Sequence, residues 1–230
     1  MSDRLAALSR EITACGACKR LVRCREAAGD DPPKRFLDDD YWLKPVPGFG
    51  DPAARLLVVG LAPGAQGANR TGRLFTGDSS GDWLYEALHR YRFANQPTSV
   101  ARDDGLTLTD CFISAAGRCA PPGNRPLPLE LDRCRPFLVT ELALLGQVRV
   151  VVTLGGIAHE NYLKAAGWWE RLAPRARPRF GHGTGTLMPD GVFLLSSYHP
   201  SRQNTNTGRL TRPMWHAIYA EARRRVEAVP

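Results

Sequence analysis

The chain has 230 residues, 43% hydrophobic and 23% charged. These are the proportions of a folded globular protein with one sizeable core or two small ones, which excludes a disordered chain or a fibre. Thirty-one basic residues against 23 acidic ones leave a net charge of +8, and no apolar run approaches the ~20 residues of a membrane-spanning helix.

Arginine supplies 27 of the 31 basic residues. Its planar fork suits phosphate, so the excess favours a nucleic-acid partner, although genome base content alone can produce the same usage. The N-terminal Met-Ser-Asp-Arg-Leu carries charge where a secretory signal is apolar, so a cytoplasmic location is expected.

Along the chain, Cys15-Gly-Ala-Cys18 comes first, a two-spacer pair suited to two thiolates on one metal centre. Cys24 follows at a helix end, and residues 28–54 read as a loop excursion rich in Asp and Pro. Four apolar runs, 55–62, 108–115, 148–154 and 192–197, read as buried strands. The first and third are almost continuously apolar, as expected of strands covered on both faces. Helical patterns span about 80–92, with Asp78 or Ser79 as cap, then about 129–145 with a bend at Pro136, 157–166 and 212–228. Strand and helix alternate. The expected fold is a three-layer α/β/α sandwich around a central four-stranded parallel sheet, one domain over residues 1–230.

Ligands of such sheets bind beyond the carboxyl ends of the strands. The unusual sequence lies there. Strand one runs into a loop with five glycines from Gly60 to Gly77, which permit close backbone approach to a ligand. No Gly-Lys-Ser/Thr follows, so it is not a P-loop, and the spacing is wrong for a dinucleotide fingerprint. Phe75 within it could stack on a flat ring or belong to the core. Asp78 could be a plain helix cap or a reactive carboxylate. Strand two leads to Arg118-Cys119-Ala-Pro-Pro-Gly-Asn124, and strand four to His199-Pro-Ser-Arg-Gln-Asn-Thr-Asn-Thr-Gly208. Arg202, Asn204 and Asn206 there suit phosphates and base edges. Cys119 and Cys134 complete a set of four with Cys15 and Cys18. A cytosolic chain seldom keeps structural disulfides, so zinc or an iron–sulfur cluster are the options, and spacing does not separate them. Cys24 and Cys111 read as plain thiols.

Four stretches together resemble the uracil-DNA glycosylase superfamily, family 5. They are Gly60-Leu-Ala-Pro-Gly64, Asn69-Arg-Thr-Gly-Arg-Leu-Phe-Thr-Gly-Asp78, Cys119-Ala-Pro-Pro-Gly-Asn-Arg-Pro126 and His199-Pro-Ser-Arg-Gln-Asn-Thr205. The likeness runs from about residue 15 to 212. It implies a [4Fe–4S] cluster on Cys15, Cys18, Cys119 and Cys134, and removal of uracil and other deaminated bases from double- or single-stranded DNA by a monomer. It assigns Asp78, His199 and Asn124 to catalysis. It makes Gly60, Ala62, Gly64, Phe75, Ser197, Arg202 and Asn204 the substrate contacts. Uracil-strict relatives place an Asn at the end of strand two. Here Ser114-Ala115-Ala116 stands there, so a wider range including hypoxanthine is expected. Two other classes compete: a non-catalytic DNA-binding module built on zinc, and an iron–sulfur electron-transfer protein, the latter without any flavin or nicotinamide motif.

Overall fold

A computed structural model describes residues 2–228. Its sheet has six strands in the order β1-β3-β2-β4-β6-β5. The central four are β2 (Leu56–Gly60), β3 (Cys111–Ala115), β4 (Val150–Leu154) and β6 (Phe193–Ser197), all mutually parallel. They match the four apolar runs. The expected four-stranded sheet is extended at its edges by β1 (Phe49–Gly50) and β5 (Gly185–Leu187), both antiparallel to their neighbours. Two or three residues with partly exposed side chains carry no readable period, which is why these edges left no signal. Gly50 suits its place: its φ is +141°, and a Cβ there would lie 2.4 Å from the Cys111 carbonyl oxygen.

Side chains alternate across a strand, and here both faces are dry. Leu56 and Val58 enter a core with Leu84, Leu88, Trp215 and Tyr219, on the side of α4 (Ser79–Arg90) and α9 (Arg212–Glu227). Leu57 and Val59 enter a second core with Leu5, Leu8, Ile12, Leu138 and Leu163. These come from α1 (Ser2–Ala14), α5 (Pro128–Leu144) and α6 (Gly156–Ala165). The architecture is thus three layers, α/β/α. Helix α1 was not anticipated; its buried Leu5, Leu8 and Ile12 follow helical spacing. Nor were α3 (Ala68–Thr71), α7 (Trp168–Arg171) and α8 (Arg202–Asn206); Cys24, expected at a helix end, lies within α2 (Lys19–Asp30). Helix α5 runs through Pro136. Among the described residues no helix is long and apolar enough to cross a membrane.

The Gly-rich loop after β2 is pinned by a buried ion pair. The Arg73 guanidinium reaches Asp104 at 2.7 Å, with side chains only 4% and 7% exposed. Arg73 also donates to Thr76 Oγ1 and Ser99 Oγ. Burial raises the Asp104 carboxyl, but Arg73 and the N–H groups of Leu106, Val100 and Ala101 outweigh it and hold it below the ordinary Asp range. A depressed carboxylate stabilises the fold above its unfolded-state value, and the contribution is lost as the pH falls through its folded-state value. Asp104→Ala leaves a buried cation unpaired and should cost about 3–5 kcal/mol. The expected readout is a lower urea midpoint with an unchanged m-value. In the wild type the pair should weaken only at pH below the usual Asp range.

Candidate active site and cysteine-lined cavity

The parallel strands deliver their carboxyl ends to one edge of the sheet, where a cleft of about 750 Å³ opens. Ala62, Gly64, Phe75, Asp78, Asn124, His199 and Arg202 all line it. Residues 62 to 202 meet there because β3 is the neighbour and β6 the next neighbour of β2 in the sheet.

Asp78 has two jobs available, one per oxygen. Oδ1 caps α4, accepting from the Ser80 and Gly81 N–H groups at 2.9 and 3.0 Å. Oδ2 lies against glycine backbone. A Cβ on Gly67 would sit 2.1 Å from it, and one on Gly64 3.2 Å. Burial raises the Asp78 carboxyl, while the two capping N–H groups and the Arg202 charge oppose the rise. The result is a carboxylate with one oxygen committed and the other at the cleft wall.

Phe75 has φ +54°, a left-handed conformation uncommon for a bulky residue. Its ring packs on Gly60, where a Cβ would come within 2.7 Å of it. Gly60 therefore supports the ring from beneath and does not line the cleft. The His199 ring lies 5.9 Å from the Phe75 ring at 30°. Burial holds the His199 imidazole down at about 4, so it is neutral at physiological pH. Asn124 takes a left-handed φ of +57°, which Asn tolerates.

Two expected contacts do other work. Ser197 is fully buried and donates to the Tyr198 carbonyl at 2.9 Å, away from the cleft. Asn204 Nδ2 donates to the His199 carbonyl at 2.8 Å, fixing the backbone beside the imidazole. The stretch after His199, expected as an open loop, folds into α8, with Ser201 capping it. Ser114 is also withdrawn: its hydroxyl bonds Glu141 and Arg118 in the interior, and Ala115 and Ala116 are buried.

The cleft also gathers Arg35, Gln66, Arg125 and Gln203. Arg35 sits in the Asp- and Pro-rich excursion, where no motif marked it. Arg125 follows Asn124 in a motif already singled out. Neither these two arginines nor Arg202 pairs with a carboxylate among the described residues.

A second cavity lies beside α2 and α5, lined by Cys15, Cys18, Cys119 and Cys134 together with Arg25 and Arg118. The topology thus assembles the four cysteines from three separate segments. Among the described residues no three His, Cys, Asp or Glu side chains converge tightly enough to hold a metal ion. Burial pushes the Cys134 thiol up to about 11 and raises Cys119 in the same sense, against the hydrogen bond from Arg25. Cys111 is buried in β3 and Cys24 lies outside the cavity lining.

The family model described as "Uracil DNA glycosylase superfamily" matches residues 47–223. The chain belongs to the uracil DNA glycosylase superfamily. It is 50% identical to a type-5 uracil-DNA glycosylase of Thermus thermophilus over 95% of this chain and 96% of that protein. It is 49% identical to one of Mycobacterium bovis, over 94% of this chain and 80% of that one. A type-4 uracil-DNA glycosylase of Pyrobaculum aerophilum is 32% identical over 70% of this chain and 74% of its own length. The superfamily match spans all four central strands and the whole cleft edge from β2 to α8, but begins after Cys15 and Cys18.

The Gly67 contact yields a test in this superfamily site. Gly67→Ala places a methyl group where Asp78 Oδ2 now lies, so the carboxylate or the loop must shift. The expected outcome is at least a tenfold fall in single-turnover rate, since small misplacements of reacting groups cost on the order of 10². The far-ultraviolet circular dichroism should be unchanged.

Proposed function

We propose that the chain is a DNA glycosylase that flips a uracil or another deaminated base out of DNA, hydrolyses its bond to deoxyribose and leaves an abasic site for base-excision repair. The observation that carries this reading is Asp78: an oriented, half-committed carboxylate facing the same cleft as Phe75 and His199. The three unpaired arginines at the cleft, with the net charge of +8, supply the phosphate contacts that DNA demands.

Extruding the nucleotide costs a few kcal/mol. Phe75 offsets part of that cost by stacking on the base. As the C1′–N bond breaks, its electron pair goes to the base and the sugar gains oxocarbenium character. Asp78 Oδ2 stabilises that positive charge and orients the water that adds to C1′, accepting its proton. Neutral His199 donates an N–H bond to the base as negative charge develops there. Asn124 helps place the base. Arg202 and the tip of α8 fill the space the base leaves and grip nearby phosphates.

At the end of β3, Ser114, Ala115 and Ala116 supply no amide side chain to read the pyrimidine edge, and the Ser114 hydroxyl is engaged inside. A pocket without that specific hydrogen bond should also accept hypoxanthine. The protein acts on double- and single-stranded DNA, as a cytoplasmic monomer, one domain over residues 1–230.

The donor set of the second cavity, four thiols beside a buried guanidinium, fits a [4Fe–4S] cluster on Cys15, Cys18, Cys119 and Cys134. When bound, the cluster would cross-link the start of α2, the segment after β3 and helix α5; it supplies no step of the hydrolysis.

Oligonucleotides carrying single lesions, assayed for abasic sites, test the main reading. Release of uracil is expected, with hypoxanthine released more slowly; no release of any base would leave a DNA-binding module. Asp78→Asn keeps a good helix cap and removes the charge. It should therefore fold normally while base release falls about 10²–10⁴-fold. Because Asp78 works as a carboxylate of raised pKa, release should fall as the pH drops through a point above the usual Asp range. No limb should appear at 6.5, the ordinary imidazole value, because His199 is held at about 4. A limb there would remove the neutral-imidazole role.

The cluster has its own check. Protein purified anaerobically should be brown and contain iron. Cys119→Ser should lose the colour and Cys24→Ser should keep it. An active, colourless, zinc-loaded wild type would sink the assignment.

A further inference from the structure

Most of the buried arginines in this protein have a carboxylate. Arg73 has Asp104, and Arg118 has Glu141. Arg25 is 8% exposed and has none among the described residues. A buried cation without a counter-charge costs several kcal/mol, so its position calls for an anion.

Its donors indicate where that anion sits. Arg25 Nη1 donates to Cys119 Sγ and to the Cys15 carbonyl, both at 3.3 Å. Its Nε is buried and has no partner. The cavity lining does include one carboxylate, Glu130, but that group is taken by a two-pronged contact from Arg20 at 2.7 and 2.8 Å. Glu130 also accepts from the Leu127 N–H. Beyond the Cys15 backbone carbonyl, the groups in the cavity lining that can supply Arg25 with negative charge are the cysteine sulfurs. Arg118, which also lines the cavity and pairs with Glu141, has buried Nε and Nη1 without partners. The Arg25 backbone is itself fixed, since its carbonyl accepts from the buried Asn69 Nδ2 at 3.0 Å.

We infer that Arg25 is the counter-cation of the group held by Cys15, Cys18, Cys119 and Cys134, donating N–H bonds to its sulfurs and offsetting its negative charge. The inference rests on the cluster assignment made above. Four thiolates around a [4Fe–4S] core carry a net negative charge, which grows on reduction. Hydrogen bonds and a nearby cation favour the more negative state and so raise the reduction potential. Neutral packing in place of Arg25 would do neither.

The test uses the holo-protein, purified anaerobically, as wild type, Arg25→Gln and Arg25→Lys. Three quantities are read: iron per chain, the reduction potential by voltammetry, and the rate at which a chelator bleaches the visible absorbance. Arg25→Gln should move the potential in the negative direction and bleach at least tenfold faster. Arg25→Lys keeps the charge but loses the fork, so both quantities should fall between those of wild type and Arg25→Gln. Iron-loaded Arg25→Gln with the wild-type potential and bleaching rate would overturn the inference and leave the cluster assignment standing. Should Arg25→Gln fail to fold, an Arg25→Lys protein indistinguishable from wild type overturns it instead. Wild-type protein without iron overturns both.

Discussion

Strand β2 pairs in parallel with β3 on one side and β4 on the other, residue for residue from Leu56↔Cys111 to Gly60↔Ala115 and from Leu56↔Val150 to Val59↔Thr153. A parallel sheet cannot turn back on itself with a short hairpin, so each strand is followed by a crossover that returns along one face. Two consequences follow. Both faces of the sheet are covered, which is why the four central strands are buried at every position except Phe193. The carboxyl ends all reach the same edge, which is why residues from 62 to 202 line one cleft. The site is a product of strand direction before it is a product of any side chain.

On that edge the strain and the charge are local. Phe75 holds an unfavourable backbone angle, and its ring rests on the bare backbone of Gly60. Asp78 keeps a carboxyl in a partly dry place because two helix N–H groups hold one of its oxygens. Such capping bonds favour the ionised form, so the helix cap and the carboxylate at the cleft wall are one device. For Asp78 the capping and proposed catalytic roles do not compete, because the cap fixes where the second oxygen points.

The arginines divide by environment. Those in the interior mostly meet carboxylates: Arg73 with Asp104 ties down the Gly-rich loop, and Arg118 with Glu141 ties the end of β3 to α5. Arg35, Arg125 and Arg202 reach the cleft without a carboxylate partner among the described residues. Arg25 is buried beside the cysteines with sulfur as its acceptor. A composition of 27 arginines therefore contains several different functions that the count cannot separate.

The sequence by itself determined the layered fold, because runs such as Leu56–Gly60 are apolar at successive positions and only a strand covered on both faces needs that. It also marked Asp78, Phe75, His199, Asn124 and Arg202, since glycines, turns and polar clusters at strand ends are local signals. Long-range packing decided the rest. Ser197 and Asn204 stand in the expected stretches, yet one points inward and the other holds backbone; the direction of a side chain at a strand end depends on its neighbours in space. Arg35 enters the cleft from a loop with no motif, and β1 and β5 are too short to show a period. The three segments that carry Cys15, Cys18, Cys119 and Cys134 meet Arg25 only when α2 docks beside α5, because burial and charge pairing are properties of the assembled volume and not of the order of residues along the chain.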